Sequence, residues 1–507
     1  MTSASSSMRD VVLEPQERTS KSSRAEVQRF IDSEQSELKI ISLESQITAP
    51  VELRDRERTC VAALRHLDSP IHSLPVELLA EIFEFVICNQ QPRWRYIQYL
   101  LRISQVCSDW RQVTHSTPRL WARPMEIDLR ARRSSAREQV HADSLKTQLL
   151  RAAPLTVPVS LLLDWESRNR SIPDEILCNA PRWRSLYFPD MATFLVVRQL
   201  AKARLENLEV LDLGGVDFPE SDILLSFTAS TVPRLRKLHI GIYTDVVPIL
   251  LPWAQLSHLI LRTRCPDITL EILYDCTNLL QVDVHTTVLD GFLEDIDVTL
   301  THYRLHALSL HFLEAEGNVL RFLDHLSAPA LEEIFLDFGH VRRQVWTMAN
   351  FTEFQLRSPN ITRLELLFCF LTSDELTTAL RHAPSLTHLK LTHCHYCFDD
   401  ALIDALRYKA GTIPLAPHLH DLHLEDIRND FTEDLLAAMI ASRWWTDAEL
   451  ASRLVPPPVA RWTHVQLPYP FGQHFMDVLH DVPSDVVLNS SPPSIRPDPS
   501  RSQFDTL

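Results

Sequence analysis

A six-residue motif, Leu-x-x-Leu-x-Leu or a close variant, recurs nine times between residues 208 and 424 of this chain. Successive copies begin 21 to 33 residues apart. Unrelated buried strands of an ordinary α/β domain are one explanation, but near-even recurrence favours repeated units that bury their apolar faces against one another. The copies are LEVLDL at Leu208, LRKLHI at Leu235, LSHLIL at Leu256, LLQVDV at Leu279, LHALSL at Leu305, LEEIFL at Leu331, ITRLEL at Ile361, LTHLKL at Leu386 and LHDLHL at Leu419.

The pattern is similar to leucine-rich repeats of an irregular kind, in which the usual Asn or Cys after the strand is missing. This resemblance implies a solenoid over residues 130–482, with a curved parallel sheet and outer helices. The stretches 371–383 and 432–445 suit such helices, because Asp374 and Glu433 lie near their starts, where the helix dipole favours negative charge.

Side chains alternate along a strand, so the residue between the last two leucines of each copy points away from the core. The concave face of a solenoid is its usual binding surface, which predicts a target-binding site here; a merely solvated face is the alternative. Acidic and histidine side chains suit a basic or mixed ligand and a binding strength that changes at about pH 6. These positions are Asp212, His239, Ile260, Asp283, Ser309, Phe335, Glu365, Lys390 and His423.

A second constraint comes from the stretch LPVELLAEIFEFV, Leu74 to Val86, whose apolar residues fall at helical spacing after a helix-starting proline. Two further elements follow, VCSDW at residues 106–110 and PRLW at residues 118–121. In this order the three elements resemble an F-box, over residues 69–129. The link ICNQQPRWRYIQ is longer than the family pattern. The fold expected for the whole chain is therefore α/β, a small helical F-box followed by the solenoid.

F-boxes bind the small adaptor subunit of the SCF ubiquitin ligase, a cullin-RING complex, so the resemblance implies an adaptor-binding surface. Trp110 and Trp121 are expected to pack inside the module, because large aromatic residues dominate a small core. The residues that correspond to the family motif are Leu74, Pro75, Leu78, Leu79, Ile82, Phe83, Val106, Cys107, Trp110 and Trp121.

The apolar stripe of the first helix is expected to divide between the module and its partner. Ile82 and Val86 are predicted to pack within the module. Leu74, Pro75 and Leu79 are predicted to meet the adaptor.

The implied function is that of a substrate-recognition subunit of an SCF-type E3 ubiquitin ligase, similar to the large F-box families of fungi. The F-box would dock the adaptor, and through it cullin, while the repeats hold a target protein. The alternative is a non-ligase leucine-rich-repeat scaffold whose F-box-like helices cap the solenoid, since terminal repeats need capping.

Composition argues against several other functions. Only 8 of 507 residues are Gly, so glycine-rich phosphate loops cannot be built, and we find no catalytic constellation and expect no enzyme activity and no cofactor. The net charge of −16 disfavours nucleic acid as a partner, and the basic run at residues 130–137 is interpreted as solvated surface. No run reaches the roughly 18 apolar residues of a membrane span.

The nine cysteines are scattered, which is typical of a reducing compartment, and the first residues lack the apolar core of a signal peptide. We therefore expect a cytoplasmic or nuclear protein. Cys394, His395 and Cys397 have spacing that zinc can use, but a structural zinc site needs four ligands, so we predict no metal site.

The composition also predicts the boundaries of the segments. A helix-like pattern after residue 24 is interrupted at Pro50, which leaves a helical arm or a coiled-coil hairpin as alternatives. The predicted segments are 1–24 disordered, 25–68 helical arm or hairpin, 69–129 F-box, 130–482 repeats and 483–507 disordered tail.

Overall fold

The structure is a computed structural model. It describes residues 21–67, 71, 74–88, 96–130, 135–163, 172–189, 191–217, 225–244, 247, 249–288, 299–315, 320–339, 347–428, 430–452, 455–467, 471–483 and 485–489. The chain divides into two compact units, residues 1–85 and 86–507.

The first unit contains one long helix, α1 (Lys21–Leu67), and most of α2 (Val76–Cys88). The expected break at Pro50 is absent, since α1 runs continuously through it, so the single helical arm is the alternative that the structure displays. Predicted disorder over residues 1–20 lies outside the described residues, whereas residues 21–24 belong to α1. None of the described helices is both long and apolar enough to cross a membrane.

The second unit alternates strands and helices. Its helices are α3 (Tyr96–Ser104), α4 (Ser108–Ser116), α5 (Pro118–Trp121), α6 (Ser135–Arg151), α7 (Asp174–Leu177), α8 (Phe194–Lys202), α9 (Pro266–Asp275), α10 (Arg321–Asp324), α11 (Met348–Arg357), α12 (Ser373–Arg381), α13 (Asp400–Leu406), α14 (Glu433–Ser442), α15 (Asp447–Ser452) and α16 (Gln473–Val478). Short 3₁₀ turns precede two strands, at Ala180–Arg182 and Trp253–Gln255.

Strands are more numerous than the nine motif copies. They are β1 (Met125–Asp128), β2 (Val157–Leu162), β3 (Trp183–Tyr187), β4 (Met191–Thr193), β5 (Val210–Asp217), β6 (Leu225–Ser226), β7 (Lys237–Ile242), β8 (Ile249–Leu250), β9 (His258–Thr263), β10 (Gln281–Val288), β11 (Leu300–Thr301), β12 (Ala307–Ala315), β13 (Leu326–Ser327), β14 (Glu333–Asp337), β15 (Arg363–Leu367), β16 (His388–Thr392), β17 (Asp421–Glu425), β18 (His464–Leu467) and β19 (Val487–Asn489).

One parallel sheet contains most of these strands, and its order follows the chain. Fourteen described strands run β1-β2-β3-β5-β7-β9-β10-β12-β14-β15-β16-β17-β18-β19, with β4 beside β5 and two separate pairs, β6–β8 and β11–β13. The last strand corrects the sequence analysis, because residues 487–489 pair with β18 instead of belonging to a disordered tail. Val487 and Leu488 continue the apolar, strand-forming character of the sheet.

The leucines of the motif form the core of this unit. In the copy at Leu386, for example, Leu386, Leu389 and Leu391 are all buried, whereas Lys390 between them is half-buried. Helix α12 buries Leu376 and Leu380, and successive helices from α10 to α14 contact one another. The helices therefore cover the leucine side of the sheet and leave the alternate side chains on the opposite face.

Three successive strands end in the same turn. The residue after β15, β16 and β17 has positive φ: Phe368 at 54°, His393 at 53° and Asp426 at 47°. In two of these repeats a buried cysteine follows at the position where the leucine-rich-repeat pattern has Asn or Cys, namely Cys369 and Cys394. The predicted absence of an Asn or Cys after the strand is therefore wrong for two copies, in which the spacing after the last leucine conforms to the pattern.

Candidate functional site

Helix α2 carries two apolar faces. Leu79, Ala80 and Phe83 are buried, with Phe83 only 2% exposed. Leu78 and Phe85 lie on an adjacent face and are 46% and 69% exposed. At about 100° per residue, positions 78, 82 and 85 fall on one stripe of the helix.

This distribution corrects the predicted division of the helix. Leu79 was expected to meet a partner, yet it is buried, and Phe83 is buried too. Ile82 and Val86 were expected to pack inward, yet they are 41% and 40% exposed. The buried face of α2 lies about one helical position away from the predicted one, because both faces are apolar and periodicity alone cannot separate them. Phe85 was not predicted as part of the exposed face, although its spacing of seven residues from Leu78 places both on the same side of the helix.

At the entry to α2, Leu74 is half-buried and Pro75 is exposed. Of the residues that the family motif assigns to this part of the chain, Pro75, Leu78 and Ile82 are thus available to a partner.

The later motif residues lie on α4, α5 and the turn before α4. Cys107 caps α4, since its sulfur accepts from the Trp110 backbone N–H at 3.5 Å. Trp121 is buried, as expected for internal packing, and its indole Nε1 donates to the Thr114 carbonyl at 2.7 Å. Trp110 is half-buried, and Val106 is 56% exposed.

On the second unit, the nine positions between the motif leucines lie side by side. Strand register pairs each of them with the next, from Asp212 on β5 to His423 on β17, and we call this line the first row. The residues two positions earlier in each strand form a second row. The residues two positions later form a third row, which includes Arg262 of β9, His285, His311 and Asp337.

The early part of the first row is less accessible than expected. Asp212, His239, Ile260 and Asp283 lie on the open face but are buried there, so they expose too little surface to serve as the predicted contact residues. His239 Nδ1 lies 2.8 Å from Asp212 Oδ1. Neighbouring strands lie only about 4.8 Å apart, so side chains on adjacent strands cover one another. The remaining first-row residues are half-buried: Ser309, Phe335, Glu365, Lys390 and His423.

The late part of the face contains a polar cavity of ≈ 270 Å³. Charges of both signs alternate around it: Lys390 Nζ lies 3.9 Å from Glu365, and His388 Nε2 lies 3.7 Å from Asp421. Burial and the nearby Arg363 guanidinium lower the pKa of His388.

Midway along the face, the third row adds residues that the sequence analysis missed. His285 Nε2 and His311 Nε2 lie 3.2 and 3.4 Å from Asp283 Oδ1, and His311 Nδ1 lies 3.1 Å from Asp337 Oδ2. Burial lowers the pKa of His285. These residues were detectable in principle, because they continue the same alternation by two positions beyond the motif.

The Cys394–Cys397 pair lies away from this group. The Cys394 thiol donates to the Leu366 carbonyl at 3.4 Å, and the Cys397 thiol donates to the Cys394 carbonyl at 3.6 Å. The neighbouring Cys394 sulfur and burial raise the pKa of the Cys397 thiol well above its ordinary value. These contacts are those of packed core thiols.

The chain therefore has short helices, one with an exposed apolar face, ahead of a large parallel sheet covered by helices. Residues 71–126 match the family model described as F-box-like, so the chain contains an F-box-like domain. No curated protein matches the sequence.

Proposed function

We propose that this protein is a substrate-recognition subunit of an SCF-type cullin-RING E3 ubiquitin ligase. The F-box-like domain docks the SCF adaptor subunit, and the polar face of the sheet binds a target protein. The chain performs no chemistry itself: it raises the effective concentration of target lysines near the conjugating enzyme. Such a role suits the cytoplasm or the nucleus.

The observation that carries the proposal is the exposed apolar stripe of α2 within the F-box-like domain. Leu78, Ile82 and Phe85 each expose two-fifths or more of their surface, next to a second apolar face that is already buried. A contiguous exposed apolar stripe on a helix is typical of a protein-binding surface. The family match supports an adaptor as the occupant.

The target-binding role rests on the sheet. We infer that the sheet is a leucine-rich-repeat-like solenoid, since its strands follow chain order, its leucines share one core and two repeats place a buried cysteine at the pattern position. The accessible part of its open face runs from Ser309 to His423 and includes the mixed-charge cavity.

The test of the ligase role is a quantitative pull-down with purified SCF adaptor. The full chain should bind, and the double variant Leu78→Asp/Ile82→Asp should not, because charges would be buried in an apolar interface. Ile413→Asp is a matched control, since Ile413 is 98% exposed in a loop outside α2. Absence of adaptor binding by the wild type, or equal binding by the double variant, overturns the proposal and leaves the non-ligase scaffold.

The target role is tested separately by proximity labelling in cells. A Lys390→Ala/Glu365→Ala variant removes the charged pair beside the cavity and should lose specific labelled proteins while retaining the adaptor. An unchanged set of labelled proteins would exclude this face as the target site.

A further inference from the structure

Three side chains with metal-ligating atoms meet in the middle of the sheet face. Asp283 and His285 belong to β10, and His311 belongs to the next strand, β12. Strand register places His285 directly beside His311, with Asp283 on the same face two positions earlier. One ligand atom from each of the three residues lies within 4.8 Å of the other two.

The two separations between the carboxylate and the imidazoles agree with a tetrahedral metal site. Bonds of about 2.05 Å to zinc place neighbouring tetrahedral ligands about 3.3 Å apart. An octahedral site with bonds of about 2.1 Å needs about 3.0 Å. The Asp283 Oδ1 atom lies 3.2 Å from His285 Nε2 and 3.4 Å from His311 Nε2. Both distances are closer to the tetrahedral value.

The Asp283 carboxylate oxygen Oδ1 has no well-oriented hydrogen-bond donor among the described residues. The Asp283 side chain is only 9% exposed, and its Oδ1 and His285 Nε2 lie 3.2 Å apart without good hydrogen-bond geometry to each other or to another described residue. Buried polar atoms are costly to leave without a hydrogen bond. A cation between these atoms would satisfy both lone pairs at once.

His311 is oriented for coordination by a second carboxylate. Its Nδ1 lies 3.1 Å from Asp337 Oδ2 with hydrogen-bond geometry, so an Nδ1–H that donates to Asp337 leaves the Nε2 lone pair directed toward Asp283. A carboxylate that holds the distal nitrogen of a metal-ligating histidine is the common supporting arrangement of such sites.

The side chains around these three residues determine how the site must rearrange to bind a cation. The two imidazole rings are stacked, with centroids 4.1 Å apart and planes 2° from parallel, so both must tilt for their lone pairs to converge. Phe335 lies against His311 at 5.0 Å between ring centroids and forms an apolar wall. Arg262 is the neighbour of His285 on β9, and its single positive charge is outweighed by Asp283 and Asp337.

We propose that Asp283, His285 and His311 form a binding site for one divalent cation of the zinc class, with Asp337 as a positioning residue. Three protein ligands leave a fourth coordination position, which water or a donor atom of a bound partner can occupy. The proposal concerns the sheet face alone and stands whether or not α2 binds an adaptor.

The test uses the full chain, freed of metal with a chelator and titrated with Zn²⁺ by calorimetry and with Co²⁺ by visible absorption. The wild type should take up one equivalent, with the intense ligand-field bands of tetrahedral Co²⁺. Asp283→Asn and His311→Gln should weaken binding by at least about 100-fold, and Asp337→Asn by about 10- to 100-fold. His388→Gln is the matched control, because His388 faces a carboxylate on the same sheet and belongs to no three-ligand group among the described residues.

Circular dichroism establishes that each variant is folded, and Asp337→Asn, which alters no ligand atom, provides a second variant if Asp283→Asn fails to fold. The proposal is overturned if the wild type binds no Zn²⁺ or Co²⁺. It is also overturned if folded Asp337→Asn and His311→Gln bind as tightly as wild type, which would direct attention to the separate group His393, His395 and Asp426.

Discussion

Phe85 offers the sharpest test of the docking face on α2. The change Phe85→Ala removes a side chain that is 69% exposed, so it should cost little folding free energy. Burial of a whole Phe side chain stabilises by about 1.5 to 3 kcal/mol. An adaptor that covers the exposed two-thirds of Phe85 would therefore gain about 1 to 2 kcal/mol from it, and its loss should weaken binding by about 5- to 30-fold.

Biolayer interferometry with immobilised adaptor and the purified full chain measures this difference. Ile413→Ala provides the control, because it removes an even more exposed apolar side chain outside α2 and should leave the dissociation constant unchanged. A Phe85→Ala protein that unfolds like the wild type and binds within about twofold of it (under about 0.5 kcal/mol) would refute the assignment of this face.

The remaining predictions concern stability. The buried Arg443 guanidinium donates to four backbone carbonyls between residues 406 and 419, and burial lowers its pKa to about 10. Arg443→Met should therefore lower the free energy of unfolding in urea by about 3 to 5 kcal/mol. The exposed Arg407→Met should change it by less than about 0.5 kcal/mol, and equal effects would contradict this account. Phe83→Ala should cost about 3 to 5 kcal/mol in the same assay, and a cost below about 1 kcal/mol would mean that Phe83 is not a core residue. Thr372→Ala should cost about 0.5 to 2 kcal/mol through loss of the capping box with Glu375, and restoration by Ser but not Val would establish the cap as the cause.

The parallel sheet was predictable because its signal is strong and repeated. Leucines at fixed spacing predicted strands at all nine motif copies, and the strand at Leu386 has its leucines buried and Lys390 outward, as alternation requires. Alternation also predicted the first row as a line of neighbours, since parallel strands in register keep equivalent positions side by side. Strands β1 to β3, β18 and β19 lack a full copy of the motif, which explains why the predicted sheet was shorter.

Accessibility was not predictable from the same signal. Asp283 and Lys390 occupy equivalent motif positions, yet one is buried and the other half-buried. The imidazoles of His285 and His311 lie within 3.4 Å of the Asp283 carboxylate, and neither histidine belongs to the motif. The metal-binding arrangement depends on contacts between β10, β12 and β14, and such lateral contacts follow from strand register rather than from spacing along the chain. Helix α2 has two adjacent apolar faces, so its sequence pattern does not determine which of them faces inward.

The agreement between chain order and strand order has a consequence for how this protein can diversify. A substitution at an outward row position such as Phe335 or Lys390 leaves the leucine core of its strand intact, since the two sets of side chains lie on opposite sides of the sheet. The chemistry of the open face can therefore change one strand at a time, with little loss of stability. Duplication of one strand–helix unit would lengthen this face without changing the register of the others.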